Sequence, residues 1–262
     1  MTILTHELKR GYKGLMIWSG AVGFMVVICL LMYPEMKGQM VDFNEMMAGL
    51  GKFTAAFGMD QLNFGTAMGF YGVECGNILG IGGAFYAAIL GIGILAKEES
   101  NHTAEFLLTH PINRNRVLLE KLVAIKLELF AFNLFAIICA IVSFFIIKED
   151  VVWKEFWLFH FAQFVMQAEI MAICFGISAF IRNNAIGMGL GFAGLLYFMN
   201  IFINIDDNVK FLGYITPFQY ADAANIIGEN NVEWGFMIVG IAIAFAFILL
   251  GFAKYNKKDI AA

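Results

Sequence analysis

Residues 15–34 read LMIWSGAVGFMVVICLLMYP, twenty positions without a charged side chain. As a helix rising 1.5 Å per residue, such a run is about 30 Å long, which matches the hydrocarbon core of a bilayer. Lipid offers the backbone no hydrogen-bond partners, and a continuous helix satisfies its own. Five further stretches have the same character, over approximately 70–96, 122–147, 156–181, 185–205 and 233–254. The strict two-residue alternation of a membrane barrel is missing. Arg182, Asn183 and Asn184 alone part the fourth and fifth stretches, which predicts a tight helical hairpin. The chain therefore reads as an all-α integral membrane protein, a single transmembrane domain over residues 1–262 with six transmembrane helices.

Composition agrees. Hydrophobic residues make up 60% of the chain and charged residues 15%, against roughly 45–50% and about 25% in soluble domains. No basic patch with interleaved aromatics exists, which argues against a nucleic-acid partner. Cys29, Cys75, Cys139 and Cys174 form no Cys-x-x-Cys motif and pair with no histidine, so neither a metal site nor a disulfide framework is signalled. The first apolar run follows Lys9, Arg10 and Lys13, as in a signal peptide. It is longer than a signal core and lacks a small-x-small cleavage site, so it reads as a retained span.

Lysine and arginine placement predicts orientation. With the N-terminus in the cytoplasm, twelve of the 17 basic residues fall inside or at the inner boundary, and Lys37, Lys52, Lys148, Lys154 and Lys210 fall outside. Six spans then return the C-terminus to the cytoplasm. The expected location is the plasma membrane of a bacterial cell.

Three segments outside the spans carry patterns of their own. In residues 1–14, Ile3, Leu4, Leu8, Tyr12 and Leu15 lie on one helical side and His6, Lys9, Arg10 and Lys13 on the other, which predicts an amphipathic helix in the inner interface. The external loop 35–69 repeats Met46, Met47, Leu50, Phe53 and Phe57 at helical intervals. Methionine there reads as adaptable packing rather than a copper site, because no histidine or cysteine accompanies it. The external segment 206–232, with Pro217 and Phe218, is too short and polar for another pair of spans and suits helices that dip back into the membrane.

The most informative stretch is the cytoplasmic loop 97–121, KEESNHTAEFLLTHPINRNRVLLEK. Glu98 and Glu99 close the second span. Thr103 can cap a short helix with Glu105 in its first turn, where a carboxylate suits the helix dipole. Phe106, Leu107 and Leu108 give this helix an apolar knob, and Pro111 disfavours its continuation. Arg114 and Arg116 follow at the inner surface, and Lys121 leads into the third span. A soluble partner with a matching groove would bury the knob.

The run Glu98-Glu99, Thr103-Ala104-Glu105, Leu107-Leu108, Pro111-Ile112, Arg114 and Lys121 resembles the cytoplasmic loop of type 2 ABC transporter permeases, with His102 where that family usually has glycine. The basic amphipathic start is similar to the family's elbow helix. Gly69-Phe70-Tyr71-Gly72, Thr216-Pro217-Phe218 and the C-terminal Tyr255 to Asp259-Ile260 are similar to other family segments. The resemblance implies that the helix after Thr103 is a coupling helix seated in a cytoplasmic P-loop ATPase, present in two copies. It also implies a second permease subunit, identical or homologous, and an external gate around Pro217 and Phe218. ATP and magnesium would be bound by the ATPase and not by this chain. The chain has no catalytic residues of its own: its single Gly-Lys, Gly51-Lys52, is followed by Phe53 and makes no P-loop.

Glu169 lies in the fourth span with Gln163 and Gln167. A mid-membrane carboxylate costs about 2.5–3.5 kcal/mol on insertion scales and is a functional candidate by default. Glu169, Gln167 and Glu74 are candidate pathway residues, with a buried, hydrogen-bonded Glu169 as the alternative. Asn133 and Asn200 read as helix–helix contacts. The glycines of the second span, Gly83 among them, suggest close packing, with a second subunit as one partner. Rival functions match parts of the same pattern. An intramembrane CAAX-type protease would use Glu98-Glu99 and histidines such as His160, but Thr103 stands where its arginine belongs. A secondary transporter would want repeats and paired broken helices, and a non-transporting accessory subunit needs neither.

Overall fold

A computed structural model describes residues 2–39, 52–56, 59, 62–97, 113–181, 185–228 and 230–258. The described chain contains helices and no strand. Six helices are long and apolar enough to cross a membrane. We label them α1 (Thr2–Met36), α2 (Ala67–Gly93), α3 (Arg114–Ile147), α4 (Trp153–Ser178), α5 (Ile186–Ile205) and α6 (Trp234–Lys257). The six expected spans are therefore present, with ends shifted by several residues.

Two shifts matter. From Thr2 on, the interfacial segment and the first span are one unbroken helix, because nothing breaks the run before Pro34 in its last turns. Its 35 residues reach roughly 52 Å. The segment is helical as expected, but it packs on the bundle instead of lying apart from it: Ile3 and Glu7 are buried. They begin a stripe that continues through Val22, Val26, Leu30 and Tyr33, at the three- and four-residue spacing of one helix face. Likewise α3 starts at Arg114 and not near residue 122. Asn113 caps it, its side chain accepting from the Asn115 N–H at 2.9 Å. The helix stops where Lys148 adopts the left-handed conformation, φ 57°.

The core pair is α2 and α4, the two most buried helices. α5 packs on α2, α6 packs on α4, and α1 and α3 pack lengthwise on one another. The fourth and fifth helices are adjacent in sequence, yet α5 finds its main partner in α2. The predicted hairpin connects them without making them packing partners; its residues 182–184 lie outside the described residues. Small residues explain the choice. Gly189 of α5 faces Ala88 and Ile92 of α2 so closely that a methyl group there would stand 3.0 Å from Ile92.

The α2 glycines are also used inside the chain. Gly83 lies against the Gln167 side chain, and Gly91 against Met171, Cys174 and Phe175 of α4. The expectation that Gly83 faces a second subunit is thus corrected: its absent side chain makes room for α4.

The N-terminus of α1, both roots of the α2–α3 connection and the end of α6 meet at one end of the bundle. At the opposite end, Lys37 and Glu149 pair at 2.6 Å, and that hydrogen bond holds the Lys37 ammonium above its usual range. There Tyr33 donates to the Gly65 carbonyl at 2.8 Å, and Thr66 caps α2 by accepting from the Gly69 N–H at 3.1 Å. Met46, Met47, Leu50 and Phe57 lie outside the described residues.

Candidate functional site

Of the expected coupling residues, Glu98, Glu99, Thr103, Glu105, Phe106, Leu107, Leu108 and Pro111 lie outside the described residues. The roots of their segment are described. Lys97, at its start, pairs with the Glu7 carboxylate of α1. Lys121, one α3 stretch beyond its end, donates to the other Glu7 oxygen at 2.8 Å and to the Ile94 carbonyl at 3.1 Å. Lys121 is fully buried and Glu7 nearly so. The Ile94 carbonyl stands just past the end of α2, where orphan carbonyls attract a cation. A single carboxylate of α1 therefore holds both helices that bracket the connection.

A second set of bonds draws in α4 and α6. The Ser178 hydroxyl accepts from the N–H groups of Leu95 and Ala96 at 3.1 and 3.3 Å. Arg114 donates to the carbonyls of Tyr255, Asn256 and Lys258 at 3.3, 3.2 and 3.0 Å, closing the C-terminal end of α6. Lys258 donates to the Ile181 carbonyl at 3.0 Å. The structure thus places Arg114 as a clamp on α6. At the tip of α1, the Leu4 N–H donates to Glu120 at 3.1 Å, and Glu120 also pairs with Arg116 at 2.9 Å.

The three candidate pathway residues do not converge. Glu169 is buried and accepts from the Tyr220 hydroxyl at 2.7 Å. It faces α6, where Gly240 leaves space for its carboxylate. Gln167 is turned towards α2 and α3. It accepts from Asn133 at 2.7 Å and donates to the Leu79 carbonyl at 3.4 Å, a buried tie between three helices. Glu74 is half-buried on a π-helical turn, Tyr71–Cys75, inside α2. The neighbouring Tyr71 hydroxyl lies 2.8 Å from His160, amid Phe144, Phe156 and Phe159. That aromatic setting accounts for His160 among the described residues.

The segment after α5 folds back among the helices. Its short turns, Asp207–Tyr214, Gln219–Ala221 and Ala224–Gly228, are joined through buried Thr216, Pro217 and Phe218. Thr216 donates to the Leu196 carbonyl at 2.8 Å, halfway along α5. Gln163 donates to the Ala221 carbonyl at 3.0 Å, and Phe218 meets Tyr197 edge-on at 5.4 Å. Asp222 accepts from Asn204 at 2.9 Å, from Asn200 at 3.4 Å and from the Ala224 N–H at 2.9 Å. Tyr220 carries the fold-back to Glu169. These bonds hold it as a fold-back among the helices, as its length and polarity suggested.

Glu7, Glu128 and Tyr86 were not legible as site residues. Glu128, within α3, is buried beside Gly11 of α1 and bonds the Tyr86 hydroxyl at 3.4 Å. The available signal was positional: Glu7 is a lone carboxylate four residues from both Ile3 and Gly11, on the face that turns inward.

A comparison with curated proteins finds no match. A family model described as ABC-2 family transporter protein matches residues 1–260. That match takes in all six helices, the bonded roots and the fold-back segment alike, and so the chain belongs to the ABC-2 transporter family as a membrane permease.

Proposed function

We propose that this permease works in an ATP-driven exporter, forming the translocation pathway as a dimer, and that a separate cytoplasmic P-loop ATPase drives it through the α2–α3 connection. The observation that carries this reading is the double pairing of Glu7. A push on the connection reaches Lys97 and Lys121, and both are held by one carboxylate on α1. Buried, paired charges transmit displacement because parting them leaves a costly unpaired charge. Arg114 and Ser178 extend the same rigid block to α6 and α4. The block then moves as a unit, while the plug of Pro217, Phe218 and Tyr220 seals the opposite end. In this reading ATP and magnesium belong to the ATPase, and the end bearing both termini is cytoplasmic.

The test is copurification. The tagged chain, extracted in mild detergent from its native membrane, should carry a soluble P-loop ATPase, and the Leu107→Asp/Leu108→Asp variant should lose it. If crosslinked, freshly solubilised wild type carries no ATPase, the reading fails.

A further inference from the structure

A cavity of about 400 Å³ opens between α1, α2 and α3 beside the Glu7 pairing, with Ile186 of α5 at its edge. Its size falls within the range of small-molecule sites. Its walls are apolar, built from Ile89, Leu90, Ile94 and Ile125. Its polar groups are Glu128, Arg10 and the Lys97–Glu7 pair. Glu128 is 5% exposed, and its one hydrogen bond among the described residues is the 3.4 Å contact with Tyr86, long for a bond between oxygens. Gly11 makes room for this carboxylate, since a side chain there would overlap it. Arg10 stands exposed at the mouth, and Lys97, in its pair with Glu7, also lines the cavity.

The permease reading does not use Glu128. A carboxylate held within a membrane helix on one long hydrogen bond, with the nearby Lys97 already engaged by Glu7, has capacity for a further partner, and the cavity it lines has room for one. An ammonium would meet Glu128 inside, a phosphate would meet Arg10 and Lys97 at the mouth, and an apolar tail would lie on the isoleucine and leucine walls.

We infer that this cavity is a headgroup-binding subsite for an amphiphile carrying an ammonium and a phosphate on an apolar tail, the chemistry of phosphoethanolamine lipids. A bilayer lipid or a free amphiphile could supply this head. As a loading site for cargo the inference rests on the permease reading; as a binding site it needs no ATPase. Loss of ATPase copurification would therefore sink that reading and leave this test standing.

Native mass spectrometry of the full chain in detergent would compare dihexanoyl phosphatidylethanolamine with dihexanoyl phosphatidylglycerol, which share tails and phosphate but differ in the ammonium. The wild type should retain the ethanolamine lipid about tenfold better, the effect of one modest ionic contact. Glu128→Gln should abolish that preference and Glu128→Asp should keep part of it. Equal retention by the wild type overturns the inference, as does an unchanged preference in Glu128→Gln. If Glu128→Gln does not fold, the two-lipid comparison on the wild type still decides. Lipid extracted with the protein from native membranes identifies the source. Enriched phosphatidylethanolamine marks a bilayer ligand, and no enrichment alongside dihexanoyl binding marks a free amphiphile; either result supports the site.

Discussion

Glu7 shows how much one side chain can carry. It sits among apolar and basic neighbours near the chain's start, yet it is buried and bonded to two lysines, one just past α2 and one in α3. Removing one partner of a buried pair typically costs about 3–5 kcal/mol, because the survivor keeps its charge without compensation. Glu7→Ala should therefore lower the melting temperature of the purified permease sharply. Adding Lys121→Met in that background should restore most of the loss, since Lys121 would no longer be stranded. A double variant as unstable as the single one would show that Glu7 acts otherwise. Arg114 teaches the complementary lesson. Its position at the loop's end was legible, but its bonds to the last turn of α6 were not, because those carbonyls are more than 140 residues away.

At the scale of elements, the α2–α4 contact organises the bundle. Glycine spacing along α2 signalled close packing, and the partner could have been another helix of the chain or a second copy. The structure selects α4: Gly83 meets Gln167, and Gly91 meets the Met171 backbone. Overpacking such a contact costs typically 1–3 kcal/mol. Gly83→Leu should accordingly reduce thermal stability while leaving the oligomeric state of the remaining folded protein unchanged, as read by light scattering after size exclusion. A shift from dimer to monomer with stability intact would return Gly83 to the subunit interface. The amphipathic start of α1 was legible as a helix, but the reading parted it from the span, and the structure joins the two into one helix because no breaker lies between them. That it packs on α3 was decided by Glu7 and Ile3, since a moment alone does not say whether the partner is lipid or protein.

For the whole molecule, the start of α1, the roots of the α2–α3 connection and the end of α6 share one end, and the basic residues predict that this end is cytoplasmic. In a variant lacking Cys29, Cys75, Cys139 and Cys174, a cysteine at Asp150 should react with a membrane-impermeant maleimide in intact cells. A cysteine at Lys257 should react only after permeabilisation. The reverse pattern would invert the protein and overturn the proposed docking of a cytoplasmic ATPase. The sequence by itself determined the six spans, because each needs only local apolar length and an unbroken helical backbone, and it pointed to the family through a short ordered motif. It also marked 206–232 as a fold-back, since that segment is too polar and too short to cross. Only the tertiary structure decided which helices pair, that α5 leaves α4 for α2, and that Glu169 and Gln167 turn to different neighbours. It alone placed Glu7, Lys121 and Glu128 in the interior. Lipid-facing and protein-facing apolar surfaces have nearly the same composition, so partner choice inside a membrane rests on small-residue contacts and buried polar bonds, which join residues far apart in the chain.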